Sequence, residues 1–128
     1  MLRAFAKEFF EAGFDIEILE KHHNQKLMHH QELLNFYMKL WQKKSTVLKS
    51  VYDRSSLHEK RKHESIGIQA MRGGTIFGEH TVMFAGNDEI IEIKHTALSK
   101  EVFVQGAISA AYALLDKDHG LYTLKSLY

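Results

Sequence analysis

Apolar residues recur at helical spacing over the first dozen positions. Leu2, Phe5, Phe9 and Ala12 share a face, while Arg3, Lys7 and Glu11 lie largely opposite. Gly13 follows as a stop, so the spacing predicts an amphipathic helix over 2–12. From Phe14 the period drops to two. Phe14, Ile16 and Ile18 alternate with Asp15, Glu17 and Leu19, the pattern of a strand with one buried face. The strand runs into the polar stretch Glu20-Lys21-His22-His23-Asn24-Gln25-Lys26. Helical spacing returns over 31–44, where Leu33, Phe36, Tyr37, Leu40 and Trp41 form a stripe.

The polar segment 53–64 reads as an exposed, solvated loop, and 65–72 as a second strand. Gly73-Gly74 signals a turn. Residues 75–84 and 89–96 are two further strands. Ala85-Gly86-Asn87-Asp88 joins them, with Gly86 and Asn87 suited to the left-handed conformations of a tight turn. Ser99 is the expected N-cap of a helix over 100–117, with Glu101 in its first turn and Gly120 as its stop. The order predicts an α+β fold: a mixed, mostly antiparallel four-stranded sheet backed by helices on one face. The other face carries enough apolar side chains to be available for subunit association. The chain begins inside a helix, an abrupt start for a domain.

Composition narrows the picture. The 128 residues make one domain, 45% apolar and 26% charged, as in ordinary globular proteins. Seventeen basic and 16 acidic residues leave a net charge of +1, which offers no footprint for nucleic acid or an anionic membrane. No apolar run approaches the ~18 residues of a membrane span, and no signal peptide is evident. With no cysteine, disulfides and thiolate chemistry are excluded, and a cytoplasmic location is the expectation. Nine histidines and no proline are the oddities.

Three stretches, taken in order, resemble one enzyme family. Glu20-Lys21-His22-His23-Asn24-Gln25-Lys26 is similar to the E-x-H-H-x-x-K active-site signature of the 4-hydroxy-tetrahydrodipicolinate (dihydrodipicolinate) reductases. The stretch from Arg72 through Gly78-Glu79-His80 resembles their R-x-G-x-x-x-G-E-H strand pair. Residues 89–100, followed by a helix of small residues and Gly120-Leu121-Tyr122, complete the likeness. The resemblance implies the C-terminal substrate-binding and oligomerising domain, over 1–128, of a two-domain enzyme of lysine and diaminopimelate synthesis. It implies NADPH or NADH on an N-terminal Rossmann domain, a small diacid substrate and a homotetramer. Carried over, His22 matches the catalytic histidine, His23 a substrate-contacting histidine and Lys26 the proton donor. A cationic lysine and an imidazole suit a reaction in which hydride addition to a C=N system leaves negative charge behind.

Two departures stand out. No G-x-x-G-x-x-G follows a strand, so no cofactor is expected to bind this chain alone. After Lys26 the family continues (V/I)-D-A-P-S-G-T-A, whose Gly and Thr hold a substrate carboxylate. Here the residues are Leu27-Met28-His29-His30-Gln31-Glu32-Leu33-Leu34. Reading each codon's third base with the first two of the next permits the family motif in full. A one-base deletion near the Lys26 codon, compensated near Lys43-Lys44, is therefore expected, and it would account for Trp41, His29-His30 and the missing proline. It would also put Glu32 about where the motif's glycine belongs, repelling a dianion by roughly 1 kcal/mol or more at ~4 Å.

The remaining candidates have plainer readings. His22-His23 with His29-His30 suggests a metal cluster, yet no carboxylate or cysteine sits at metalloenzyme spacing, so no native metal site is expected. Arg72 and Lys100 read as structural ion-pair partners, with a substrate role as the alternative. Glu79-His80 reads as ordering the strand pair or supporting the site from behind. The leading expectation is a reductase domain inactive by itself. Its rivals are a non-catalytic oligomerisation module associating through its sheet and a misread gene segment without a role.

Overall fold

The computed structural model describes residues 2–27 and 48–127. The stripe expected over 31–44 and the altered segment after Leu27 lie outside them.

The first helix, α1 (Leu2–Glu11), ends as its sequence dictates. Gly13 takes φ +91°, Phe14 N–H donates to Phe9 O at 2.9 Å, and Gly13 N–H donates to Phe10 O at 3.0 Å. The rings of Phe9 and Phe14 meet at 5.1 Å, the apolar contact that accompanies this cap. The packed face is rotated from the expected one: Ala6 is buried and Phe9 and Phe10 pack on the core, while Phe5 and Ala12 are exposed. The Phe10 ring also stacks on His63, at 4.3 Å.

Five strands follow: β1 (Asp15–His22), β2 (Lys49–Val51), β3 (Ser65–Arg72), β4 (Gly78–Ala85) and β5 (Ile90–Ala97). They form one mixed sheet in the order β2-β3-β1-β4-β5. The expected four-stranded, mostly antiparallel sheet is corrected in number and direction. β2 is an added edge strand of three residues, too short for periodicity to reveal. β1 pairs parallel with β3, β2 pairs parallel with β3, and β1 pairs antiparallel with β4. Parallel pairing needs a long crossover, and the chain between His22 and Ser65 supplies one. The β3–β4 connection then passes the end of β1. There Gly73 N–H donates to His22 O at 3.0 Å, Asn24 N–H donates to Gly74 O at 3.2 Å, and Gly74 has φ +46°.

Alternation sorts the side chains of β1. Ile16, Ile18, Glu20 and His22 share the buried face. The first two join Ile66, Ile68, Val82 and Phe84 in a core covered by Ala6 and Phe9. On the other face, Glu17 accepts from Arg54 at 2.7 Å and from Arg61 at 3.1 Å, while Glu79 pairs with Lys21 at 2.6 Å and Lys94 at 2.8 Å. Glu17 lies directly across Gly67, the only residue type that leaves it room. Arg61 also binds Asp15 and donates to the carbonyls of Ile16 and Ser65 at 3.1 and 2.6 Å. The loop over 53–64 is thus exposed as expected at most positions, but its two arginines fasten it to the sheet.

Two turn expectations change. In the β4–β5 turn the positive φ falls on Asp88 (60°), not on Gly86 or Asn87. Gly86 is needed instead because a Cβ there would come within 2.8 Å of the Phe14 ring. Residues 97–128 form a second compact unit holding α2 (Glu101–Leu114) and α3 (Leu124–Leu127). Lys100 occupies the N-cap of α2 without a side-chain bond, while Ser99 Oγ accepts from Glu101 N–H at 3.2 Å. The helix ends well before Gly120.

Candidate active site

The core face of β1 changes chemistry at its C-terminal end, where Glu20 and His22 continue the row begun by Ile16 and Ile18. Register places Arg72 of β3 beside His22 on one flank and His80 of β4 beside Glu20 on the other. Just past the strand, Lys26 N–H donates to His23 O at 3.2 Å, and this turn folds the Lys26 side chain back over His22. Lys26 Nζ lies 3.2 Å from His22 Nε2 and 3.8 Å from Glu20 Oε2. His22 Nδ1 contacts the same Glu20 oxygen. Arg72 Nη2 donates to the other, Oε1, at 2.7 Å. The His80 ring meets the His22 ring edge-on at 5.1 Å.

Glu20 is 5% exposed, and a buried carboxylate is tolerated only when paired. Burial pushes its pKa up, but the Arg72 hydrogen bond and the charges of His22, Lys26 and Arg72 outweigh that and hold it below the ordinary carboxylate value. Burial lowers the His22 pKa. Glu20 opposes that effect, while Lys26 and Arg72 reinforce it. His80 is lowered too, first by burial and then by His22. The partners assign His22 as a neutral imidazole with its proton on Nδ1 facing Glu20, which leaves the Nε2 lone pair for the Lys26 ammonium. Lys26 is the outermost member, its side chain 34% exposed.

Of the residues singled out in the sequence, the structure brings His22 and Lys26 together. His23 is half-buried and offers its carbonyl to Lys26, but among the described residues its side chain makes no hydrogen bond or ion pair with the cluster. Three further members have no leading site role in the sequence: Glu20 stands in the signature without a role of its own, and Arg72 and His80 read first as structural, with a site role as the alternative. Glu20 was legible in the alternation, two positions before His22 on the same face. Arg72 and His80 join only through strand pairing. Glu79 and His80, read together as a pair, part to opposite faces of β4.

The family model described as "Dihydrodipicolinate reductase, C-terminus" matches residues 1–127. The chain belongs to that family. It is 57% identical over 116 residues to the 4-hydroxy-tetrahydrodipicolinate reductase of Exiguobacterium sibiricum, covering 91% of this chain and 46% of that relative. It is 48% identical over 115 residues to the Staphylococcus epidermidis reductase, covering 89% of this chain and 48% of that relative. The chain thus spans about half the length of the curated relatives it matches. A solved structure, dipicolinate-bound dihydrodipicolinate reductase from Paenisporosarcina sp. TG-14, superposes with a TM-score of 0.63 at 18% identity. That match covers 96% of this chain and 49% of that one, and it shows a shared fold.

Membership in this reductase family implies NAD(P)H in the complete enzyme, and the described residues do not fit that cofactor. Positive-φ glycines occur at Gly13, which ends α1, and Gly74, in the β3–β4 turn. Neither opens a helix after a strand, the arrangement that cradles a pyrophosphate. A metal fits no better. Ligand atoms of Glu20, His22 and His80 lie within 4.8 Å of one another. Yet Arg72 and Lys26 already use the lone pairs of Glu20 and His22, and two cations so close repel a divalent ion. No described helix is long and apolar enough to cross a membrane.

Proposed function

We propose that this chain is the substrate-side domain of an NAD(P)H-dependent 4-hydroxy-tetrahydrodipicolinate reductase, binding a small cyclic diacid beside Lys26 and His22. The observation that carries this reading is the column of charge at the end of β1: Lys26 outermost, neutral His22 beneath it, and Glu20 paired with Arg72 behind. Dipicolinate, bound by the solved relative, is a ligand of this chemical class.

In the complete enzyme a bound nicotinamide would supply hydride to the substrate's C=N carbon. Negative charge then develops on the substrate atoms next to the reduced carbon. The Lys26 ammonium offsets that charge and gives up a proton, so that an N–H bond at Nζ breaks as the substrate bond to hydrogen forms. His22 accepts a hydrogen bond from the ammonium and keeps it aimed. His23 stands beside the turn as a substrate contact. In the family a Gly-Thr motif after Lys26 holds a substrate carboxylate, and in this sequence Leu27–Leu34 stand at those positions.

This chain alone is therefore inactive. The test is NAD(P)H oxidation with freshly generated substrate, and turnover by the 128-residue chain would refute the reading. Dipicolinate binding is the second arm: Lys26→Met in the same chain should weaken it about tenfold or more, the scale of a lost charged hydrogen bond. Sequencing the gene decides the frame-shift, since codons 27–34 that cannot spell the family motif one base out of frame would end it.

A second reading, association through apolar surface, has an observation in its favour. α2 is apolar nearly all round and has no buried residue, with Val102, Phe103 and Val104 among its exposed side chains. Sedimentation as a monomer would oppose it, and co-purification with a full-length reductase would support it.

A further inference from the structure

We propose that Arg72 is the positioning residue of this site: one guanidinium holds both the carboxylate behind His22 and the backbone of Lys26. The inference rests on reading Lys26 and His22 as the proton-handling pair. Arg72 acts on the proton-handling pair through Glu20 and the Lys26 carbonyl. It ends β3, in register with His22, and its side chain is 19% exposed.

Its three nitrogens divide the work. Nη2 donates to Glu20 Oε1 at 2.7 Å, Nε donates to Lys26 O at 3.3 Å, and Nη1 donates to Met71 O at 2.9 Å. Lys26 needs that anchor. Among the described residues its turn has two further backbone bonds, Lys26 N–H on His23 O and Asn24 N–H on Gly74 O, both at 3.2 Å. No helix or strand continues through it among the described residues.

The grip on Glu20 sets which oxygen faces which cation. With Oε1 taken by Arg72, only Oε2 turns toward His22 and Lys26. Lys26 Nζ stands 3.8 Å from it, farther than a hydrogen bond, and lies nearer to His22 Nε2. Without Arg72 the carboxylate is free to rotate and capture the ammonium in a direct salt bridge, drawing Lys26 inward from the substrate side. A lysine at position 72 would keep the charge but lack the planar fork, so it can serve Glu20 or the Lys26 carbonyl but not both.

The experiment uses the 128-residue chain with Arg72→Met and Arg72→Lys, read by NMR without any ligand. Nitrogen shifts report the His22 tautomer and titration midpoint, and the nuclear Overhauser effect between the Lys26 ε-methylene and the His22 ring reports their approach. Removing the Arg72 charge should raise the His22 midpoint in Arg72→Met, and the Overhauser effect should disappear. Arg72→Lys should restore the midpoint but not the Overhauser effect, a split that loss of folding alone would not produce. Should Arg72→Met unfold, Arg72→Lys and Glu20→Gln carry the test, with the His22 midpoint expected to fall in Glu20→Gln. Wild-type tautomer, midpoint and Overhauser effect in the folded variants would overturn the inference. Dipicolinate titration separates this failure from the other: a wild-type chain that binds no dipicolinate refutes the proposed function and leaves the positioning result standing.

Discussion

Gly78, at the start of β4, faces His22 so closely that a Cβ there would lie 3.3 Å from His22 Nε2. The absence of a side chain leaves that edge of the imidazole uncrowded. Gly78→Val should crowd the ring, destabilising the fold by about 1–3 kcal/mol, as overpacking does elsewhere. It should also abolish the Lys26 contact. Thermal melting measures the first effect and the His22 nitrogen shifts the second; a valine variant with native shifts would contradict this geometry.

Acid should weaken the fold through His22. Its folded-state pKa lies below its ordinary value of 6.5, so between the two the unfolded chain binds more protons. The contribution is therefore present above pH 6.5 and is lost as pH falls through the folded-state value. His80 acts in the same direction. Urea unfolding across this range should give stability rising with pH, and His22→Gln should flatten the slope. An unchanged slope in that variant would place the titration elsewhere.

Glu79 produces a second acid limb, lower down. Lys21 and Lys94 hold its carboxyl at about 2, below the ordinary 4.5. Its contribution is complete above pH 4.5 and disappears as pH falls toward 2. Glu79→Gln should lose that limb and leave the histidine limb intact. Because Lys94 is half-exposed, added salt should shrink the difference between the variant and the parent.

Gly67→Ala should release the loop over 53–64. A Cβ at 67 would collide with the Glu17 carboxylate, which receives Arg54 and Arg61. Moving Glu17 breaks both pairs, with an expected cost of about 1–3 kcal/mol. Hydrogen exchange should quicken over 53–64 more than in β4. Uniform quickening would mean that the glycine serves the whole sheet rather than this contact.

What could be read without coordinates was local. The Phe9, Gly13 and Phe14 cap, the alternation of β1, the strands β3 to β5 and the His22–Lys26 signature each depend on residues within a few positions of one another. Composition and periodicity register such signals directly. The parallel partnership of β1 and β3 leaves no such trace. It depends on which apolar faces pack best once a long crossover has closed, and that competition involves residues far apart in the chain. Tertiary structure alone therefore decided that β2 joins the edge and that His80 of β4 meets Glu20 and His22 of β1. It also decided that Arg72, 52 positions from Glu20, completes the site. The carboxylate came with the strand pattern; its partner came with the pairing, because a charge buried by folding must find its counter-ion among whatever the fold brings near.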